Sequence, residues 1–503
     1  MRDMPADKDF LDRFSVPFFI AALLFVIVFS VPTLTTKPKL WMDEAKSMEL
    51  ARNFLHYGKL DIATAPGQFT GFPSLLQSTG YPVTVPLALV FKIFGYGIVS
   101  ARIFMLAWML AALGLVFWLG KKIFTPWQAG AAVLLIATFS SFHDSGRTVV
   151  GEVPGFLFLL LALRFFLKDG EAGGAGGAGE ARPARFLKNY FLAGIFMGFA
   201  VVTKPSVFAT AIPAVFITFA FEKPGWRIFL ERCFTVCIGM VPAALLWFMF
   251  VVGSPFTPSV WQSIFVFYKN PYGSSIAQNV ISNLKLLPRT ATLVYFVLLL
   301  IPVTAAAFWE KSGLRRVAAR FTVIYAILAF IYYLRSPGWI RYMVIADFLI
   351  LFVLPAALAF FLPWLFRKFS AFRPGASVTG AVLVILVAIQ IFRFFHGANI
   401  YYSDSAIAAS DYVNTNFPGQ SVGTLNLMEV HVLLNTERRF PVADFTGMPL
   451  VGSNPLFTSP LPDVVVSYPD NRFLSQGAAV IAGRYALVKT VRGINIYKAT
   501  AVL

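Results

Sequence analysis

Long apolar segments recur along this chain, and they constrain its fold more than any other feature. A helix that crosses a bilayer needs roughly 20 apolar residues, or fewer inside a bundle, and about eleven segments approach that length. Charged residues make up only 13% of the chain, against about 25% in soluble domains. The sequence therefore predicts an α-helical integral membrane protein. The predicted spans are about 15–34, 99–120, 127–142, 153–168, 188–203, 206–222, 233–252, 289–309, 320–334, 342–362 and 376–395.

The charges of the short loops predict how these spans are oriented. Lysine and arginine concentrate on one side of the eleven-span arrangement, for example at Arg13, Lys121, Lys122 and Lys311. Cytoplasmic loops of membrane proteins carry this excess, so the N-terminus is predicted to be cytoplasmic. The same excess accounts for the net charge of +18, which therefore does not indicate a nucleic-acid partner. The Gly/Ala-rich stretch 169–187 lies on this side and is predicted to be a flexible cytoplasmic linker.

The remaining polar sequence predicts a large outer loop and an outer domain. Residues 35–98 form the first outer loop, with an amphipathic helix at 43–57 and an interfacial helix at 81–95. The transmembrane domain, 1–395, is followed by a small extracytoplasmic α/β domain, 396–503. In that domain "DVVVSY" is typical of a strand, and "YALVKTVRGINIYKA" is typical of a hairpin that turns at Arg492 and Gly493.

Carboxylates and isolated cations collect at the predicted outer ends of the spans. Each has an ordinary explanation: Asp43 could cap a helix, Lys204 could extend its ammonium towards the membrane surface, and Arg335 and Arg341 could contact lipid headgroups. Together, on one face, they favour binding of a lipid-borne anion and acid–base chemistry. The full set is Asp43, Glu44, His143, Asp144, Arg147, Glu152, Lys204, Arg335 and Arg341.

These residue types suit the transfer of a group from a lipid phosphate. Arginine and lysine bind a phosphate ester and stabilise its charge as it leaves. A carboxylate can remove the proton of an acceptor hydroxyl as that hydroxyl attacks the anomeric carbon of a sugar. Such a reaction needs one base and a cationic phosphate site, and not the paired carboxylates of a glycoside hydrolase.

Five motifs, in order along the chain, resemble those of the GT-C membrane glycosyltransferases. This group uses polyprenyl-phosphate sugars and includes protein O-mannosyltransferases and lipid A aminoarabinose transferases. The "TGYP" at 79–82 differs from one branch of the family, which has a Glu-Lys-Pro cluster there. The motifs are "LWMDEAKSMELARNFLHYGKL", "TGYPVTVPLALVFKIFGYGIVSARI", "GRTVVGEVPGFLFLLLAL", "GIFMGFAVVTKPS" and "RYMVIADFLILFVLPA".

The resemblance implies a role for individual residues. Asp43 would be the catalytic base or its orienting carboxylate, with support from Glu44. Glu152 would lie near the acceptor or a metal. Arg147 would orient Glu152, and Tyr81 would line the cavity.

The donor phosphate would be held by Lys204 and Arg341, and Arg335 is a further candidate for that site. His143 and Asp144 could supply ligands to a divalent metal ion, the only cofactor considered, although the sequence does not establish a metal site.

The resemblance implies a cell-envelope glycosylation enzyme in the plasma (inner) membrane. It would transfer a sugar, with inversion, from a polyprenyl-phosphate donor to a hydroxyl or phosphate group of an envelope lipid, glycan or protein acceptor. A transporter or flippase of lipid-linked saccharides is the alternative, but such proteins carry polar residues near the bilayer midplane. A non-catalytic envelope scaffold is a third class, for which these acids and cations would have no purpose.

Overall fold

The computed structural model of the protein describes most of the chain. The described residues are 12–65, 68–69, 79–172, 182–222, 225–252, 257–269, 274–311, 313–369, 376–397, 403–425, 427–442, 461–469 and 483–500.

Helices dominate the described chain. The first eleven are α1 Ser15–Ser30, α2 Met42–Tyr57, α3 Tyr81–Phe94, α4 Ile98–Ile123, α5 Pro126–Thr138, α6 Ser140–Arg147, α7 Glu152–Ala172, α8 Arg182–Thr203, α9 Pro205–Phe208, α10 Ala211–Phe221 and α11 Trp226–Trp247. The others are α12 Pro258–Lys269, α13 Ile276–Leu286, α14 Ala291–Trp309, α15 Gly313–Arg335, α16 Val344–Phe369, α17 Ala376–Gly397, α18 Ser405–Asn416 and α19 Met428–His431.

Every predicted span is largely helical, but the count of eleven is not confirmed. Within the described residues, seven helices are long and apolar enough to cross a membrane. An eighth span is possible if α6 and α7, which meet at a bend of 105°, cross as one unit. The segments at α5, α8 and α9–α10 are shorter apolar helices. The protein is therefore a multi-pass membrane protein, with several helices that do not meet the length requirement alone.

The apolar core of the bundle depends in part on close helix crossings. Gly194 of α8 faces Gly239 of α11, Gly198 faces Met240 and Ala243, and a Cβ atom on Gly194 would lie 2.3 Å from the Val236 carbonyl oxygen. Small residues of this kind let helix backbones approach closely in a membrane, where packing replaces the hydrophobic effect as the source of association. The glycines of the α8 motif thus fix the position of the C-terminal end of α8.

The first loop contains the two expected helices. α2 and α3 pack on each other, on the N-terminal end of α4 and on the C-terminal ends of α8 and α11, around a second apolar core that includes Met48, Leu87, Met105 and Ala243. β1 (Ala63–Ala65) pairs with β2 (Gln68–Phe69) in a short antiparallel ribbon. Residues 70–78 of this loop lie outside the described residues.

The C-terminal part contains a five-stranded mixed sheet, in agreement with the predicted small α/β domain. Its strands are β3 Val422–Leu425, β4 Arg439–Val442, β5 Val464–Ser467, β6 Tyr485–Val491 and β7 Ile494–Ala499, in the order β4-β3-β5-β7-β6. The β6–β7 hairpin turns at Arg492 and Gly493, which both have positive φ. α18 packs on one face of the sheet and buries Ala409, Val413 and Phe417.

Helices extend into both ends of the stretch 169–187 that the sequence predicts to be a flexible cytoplasmic linker. α7 continues to Ala172 and α8 begins at Arg182. The intervening residues 173–181 lie outside the described residues.

Candidate active site

The helix α2 holds the Asp-Glu pair of the first motif. It begins after Trp41, which is extended, and it ends at Gly58, whose φ of 67° is the left-handed conformation that glycine adopts readily at a helix C-terminus. Asp43 and Glu44 lie in its first turn, where the helix dipole favours negative charge. All residues from Glu44 to Asn53 are buried, so both the apolar and the polar side of this helix are covered by protein.

Asp43 is bonded to Arg341, which comes from almost 300 residues further along the chain. The guanidinium donates a short hydrogen bond to Asp43 Oδ2. Burial would raise the pKa of Asp43, but the nearby charges of Arg341, Lys204 and Lys46 outweigh burial and lower it to about 2. Asp43 is therefore a carboxylate that its surroundings keep ionised.

Aromatic rings surround the Arg341 guanidinium. The guanidinium lies 5.2 Å from the ring centre of Trp41 and 4.9 Å from that of Trp339. These cation–π contacts fix the guanidinium plane without consuming its N–H donors. Trp41 and Trp339 were not predicted as site residues, although both flank predicted ones in the sequence.

Lys204 and Glu152 approach the same point from two other helices. Lys204 occupies the break between α8 and α9, and its side chain is almost fully buried. Glu152 begins α7, and its Oε2 atom is buried without a hydrogen-bond partner among the described residues. The two turns are in contact, since a Cβ atom on Gly151 would lie 2.6 Å from the Thr203 carbonyl oxygen. Electrostatic interactions connect Asp43 to Lys204 and Arg341 to Glu152.

The "TGYP" motif at 79–82 packs against the turn that holds Lys204. Gly80 N–H donates to the Thr203 carbonyl at 2.9 Å, and the close approach leaves no room for a Cβ atom on Gly80. Tyr81 donates its hydroxyl to the Ala243 carbonyl at 3.2 Å. Tyr81 and Thr79 also line a small cavity beside Pro205, and Asp43, Lys204 and Arg341 are not part of its lining.

Glu44 does not point to the same place as Asp43. Its carboxylate receives two hydrogen bonds from Arg102 of α4, at 2.9 Å and 2.7 Å, and both side chains are fully buried. Arg102 also donates to the Leu34 carbonyl at 2.8 Å. Glu44 therefore holds α2 against α4 instead of facing the Asp43 cluster. The sequence signal for this pair was an arginine within an otherwise apolar segment.

Arg147 does not orient Glu152, contrary to the prediction. Its guanidinium donates to the carbonyl oxygens of Phe29, Ser30 and Thr33, at 3.3, 3.0 and 2.7 Å. The last carbonyls of a helix have no partner within the helix, so Arg147 satisfies the end of α1.

The other second-loop residues also lie away from the Asp43 cluster. His143 Nε2 donates a 2.8 Å hydrogen bond to the Ala137 carbonyl, and the ring packs against Phe25 and Phe394. Asp144 is half-buried and interacts electrostatically with Lys37 and Arg147. Among the described residues, no three His, Cys, Asp or Glu side chains are close enough together to hold a metal ion.

Arg335 likewise contacts a different element. It donates to the carbonyl oxygens of Tyr268 and Lys269 at 3.1 and 3.0 Å, and it stacks on Tyr332 at 5.6 Å. This arginine satisfies the C-terminal end of α12, and none of its described contacts joins it to Arg341 or Lys204.

Comparisons with known proteins agree with this architecture. The sequence profile of the family described as dolichyl-phosphate-mannose-protein mannosyltransferase matches residues 83–253. No curated protein sequence matches the chain.

Solved structures match over nearly the whole chain. ArnT from Cupriavidus metallidurans, solved bound to undecaprenyl phosphate and in the apo state, has a TM-score of 0.62 in both forms. Its identity to this chain is 15%, over 97% of this chain and 98% of ArnT. The oligosaccharyltransferase AglB from Archaeoglobus fulgidus, solved with an inhibitory peptide and a dolichol-phosphate, has a TM-score of 0.54. Its identity is 13%, over 90% of this chain and 69% of AglB.

At these identities the solved structures establish the fold, and the family profile matches the region that contains α3 to α11. The chain therefore has the GT-C fold, as its sequence predicted.

Proposed function

We propose that this protein transfers a sugar from a polyprenyl-phosphate donor to a hydroxyl or phosphate group of an envelope acceptor on the extracytoplasmic side. The observation that carries the proposal is the convergence of Asp43, Glu152, Lys204 and Arg341 from four distant motifs onto one point. Glu152 and Lys204 are buried and Asp43 and Arg341 are half-buried, and enclosed ionisable groups in a membrane protein commonly mark a functional site.

The donor phosphate would bind between Lys204 and Arg341. Arg341 offers a planar fork of donors and Lys204 a compact charge, a combination suited to a phosphate ester. Within the described residues, the Lys204 ammonium makes no hydrogen bond or ion pair, and only the backbone of this residue is hydrogen-bonded. Two structures that share this fold contain undecaprenyl phosphate or dolichol-phosphate, which supports a carrier of the same class here.

Phosphate binding would also activate Asp43. While Arg341 is bonded to it, a carboxyl group with a pKa of about 2 is a weak proton acceptor. A phosphate that draws Arg341 away removes the largest attractive charge, so the pKa of Asp43 rises towards its ordinary value. The base thus becomes competent when the donor is in place.

The reaction then proceeds by one displacement. The acceptor oxygen bonds to the anomeric carbon, the bond from that carbon to the phosphate oxygen breaks, and the polyprenyl phosphate leaves with the electron pair. Asp43 takes the proton of an acceptor hydroxyl; an ionised phosphate acceptor has none to give. Attack opposite the leaving phosphate inverts the anomeric centre. Glu152, with its unpartnered Oε2 atom, would bind the acceptor.

The proposed orientation follows from the loop charges. The N-terminus and the linker at 169–187 lie in the cytoplasm, and the active site and the domain at 396–503 lie on the outer side of the plasma (inner) membrane. A donor lipid would reach the site within the bilayer, and an acceptor would reach it from outside.

Native mass spectrometry of the purified protein tests the donor assignment without an identified acceptor. We expect bound polyprenyl phosphate, or its glycosylated form, in the wild-type protein, and a loss of affinity of about tenfold or more in Lys204→Ala and Arg341→Ala. Arg335→Ala is the matched control, because it removes an outer-side arginine that lies in another contact. If added undecaprenyl phosphate fails to bind, the donor assignment is wrong and transport of another cargo gains support.

Two conservative variants test the acid–base roles once a donor and an acceptor are identified. Asp43→Asn should lower the rate of sugar transfer by about 10²- to 10⁴-fold, the usual contribution of a positioned base. Glu152→Gln should mainly weaken acceptor binding. Full activity in both variants would exclude the proposed mechanism.

A further inference from the structure

Three carboxylates of α2 are each bonded to an arginine from a different part of the chain. They lie along one helix, and their partners come from the late transmembrane motif, from α4 and from the C-terminal domain. The pairs are Asp43–Arg341, Glu44–Arg102 and Glu49–Arg439. The first belongs to the proposed active site and the second fixes α2 on the bundle. The third connects the active-site helix to the C-terminal domain.

The Glu49 pair is fully enclosed. Arg439 Nη2 lies 3.3 Å from both carboxylate oxygens of Glu49, and Asn53 donates to Glu49 Oε1 at 3.1 Å. His431 Nε2 is 3.6 Å from the same oxygen. Glu49 and His431 are fully buried and Arg439 almost so. Burial would raise the pKa of Glu49, but Arg439, His431 and Arg52 lower it, so this carboxylate is ionised.

Arg52 makes a second attachment one turn further along α2. It donates to the Leu434 carbonyl at 3.3 Å and to Glu437 at 3.1 Å, and it stacks on Tyr96 at 4.7 Å. The Tyr96 hydroxyl in turn donates to the Val432 carbonyl at 2.7 Å. The segment from α19 to the start of β4 is thus held on the polar side of α2 by directional bonds.

Ionic groups are an expensive way to hold two surfaces together. Burying a charged pair costs several kcal/mol in desolvation, and apolar residues of similar volume often stabilise an interface at least as well. What the ionic arrangement adds is direction, because an arginine fork and a carboxylate fit in few orientations. This interface is therefore suited to fixing the position of α2 along and around its axis.

We propose that Arg439 is a positioning residue: through Glu49 it fixes α2 and so sets where Asp43 stands relative to Arg341 and Lys204. Glu49 is six residues from Asp43, or about 9 Å along a continuous helix, so a displacement at Glu49 is passed to Asp43. The C-terminal domain acts on the reaction through this contact. The inference rests on the proposed function for its catalytic consequence, and not for the coupling itself.

Hydrogen–deuterium exchange of the full-length protein measures the coupling directly. In Arg439→Met we expect the amides of residues 42–48 to exchange about tenfold faster or more. Arg438→Met is the matched control: the same substitution, one residue earlier, at an arginine that lines an open groove of the C-terminal domain. It should leave this segment unchanged. The proposal would be overturned if, in Arg439→Met, residues 42–48 exchange at the wild-type rate and only residues 428–439 exchange faster.

A second variant keeps the test decisive if Arg439→Met does not fold. Glu49→Gln combined with Arg439→Met removes both charges and leaves no unpaired buried ion. Its thermal stability should exceed that of Arg439→Met, while residues 42–48 still exchange faster than in the wild type. If residues 42–48 exchange at the wild-type rate in the double variant, the Glu49–Arg439 pair does not fix the position of α2.

Kinetics separate positioning from simple structural support. Arg439→Met should lower kcat by about tenfold with little change in KM for the donor, since Lys204 and Arg341 lie outside α2. Arg439→Lys should restore part of kcat because it keeps the charge. A change in KM alone would contradict the positioning role. If no variant transfers sugar, the proposed function fails, and the exchange experiment still decides the coupling.

Discussion

Asp43 is the residue whose charge state most directly reports on the candidate site. Because its pKa is lowered to about 2, from an ordinary value near 3.9, the ionised pair stabilises the folded protein above about pH 4. That stabilisation is lost as the pH falls towards 2. Asp43→Asn removes it at every pH, a loss of about 2 kcal/mol at pH 7.

Thermal unfolding in detergent checks this expectation. The Tm of Asp43→Asn should lie below that of the wild type at pH 7, and the difference should shrink as the pH approaches 2. Equal Tm values at pH 7 would mean that the Asp43–Arg341 pair does not stabilise the folded state.

The Glu44–Arg102 pair makes a separate residue-scale prediction. Arg102→Met leaves an uncompensated buried carboxylate and should cost about 3–5 kcal/mol of unfolding free energy. Glu44→Gln combined with Arg102→Met should recover much of that loss. Arg227→Met provides a control, because its ion pair with Glu231 is exposed and such pairs contribute little. A wild-type Tm in Arg102→Met would contradict the prediction.

Sequence reasoning found the residue types of the site but not all of their partners. Asp43, Glu152, Lys204 and Arg341 stand out because isolated charges at span ends need an explanation. Spacing along the chain could not show that Arg147 satisfies carbonyls of α1. That contact depends on how the spans cross, which no local pattern encodes.

At the scale of elements, α2 shows how a sequence pattern can be correct and still mislead. Its amphipathic spacing predicted the helix well, at 43–57 against Met42–Tyr57. Lys46, Glu49 and Arg52 lie off the apolar side of this pattern, where an ordinary amphipathic helix faces water. The structure buries all three, and the C-terminal domain contacts Glu49 and Arg52. A polar helix face therefore indicates a partner with polar contacts as readily as it indicates solvent.

The crossing of α8 and α11 yields an element-scale prediction. Gly194→Ala should push the two helices apart, since its Cβ atom would lie 2.3 Å from the Val236 carbonyl oxygen. We expect a lower Tm and weaker carrier binding, because Lys204 directly follows the last residue of α8. Gly114→Ala is the control: it lies within α4 with open space around it, so it should be neutral or stabilise by about 0.5–1 kcal/mol. Equal effects of the two substitutions would exclude close packing as the reason for Gly194.

At the scale of the whole molecule, the order of elements was predictable and the length of each crossing was not. Apolar runs reveal where helices form, and the structure has a helix at every predicted span. Runs such as α5 and α10 are shorter than a bilayer requires on their own. Whether they cross depends on neighbours that shield their ends, which is a property of the assembled bundle.

The C-terminal end of the bundle gives the sharpest prediction of topology. Three long apolar helices, α15, α16 and α17, separate Lys311 from the C-terminal domain, and each contains a segment that can span a membrane. An odd number of crossings places the two ends on opposite sides. Lys311 is exposed between α14 and α15, and Lys489 is exposed on β6. Both positions are therefore accessible to a reagent.

Thiol labelling with a membrane-impermeant reagent tests this arrangement. In a background without Cys233 and Cys237, Lys489→Cys should be labelled in intact cells or spheroplasts, and Lys311→Cys only after the membrane is opened. Labelling of both from outside would show that an even number of these three helices cross the membrane, and it would contradict the predicted topology. The reverse pattern would keep all three crossings but invert the protein, so that the active site and its donor would face the cytoplasm.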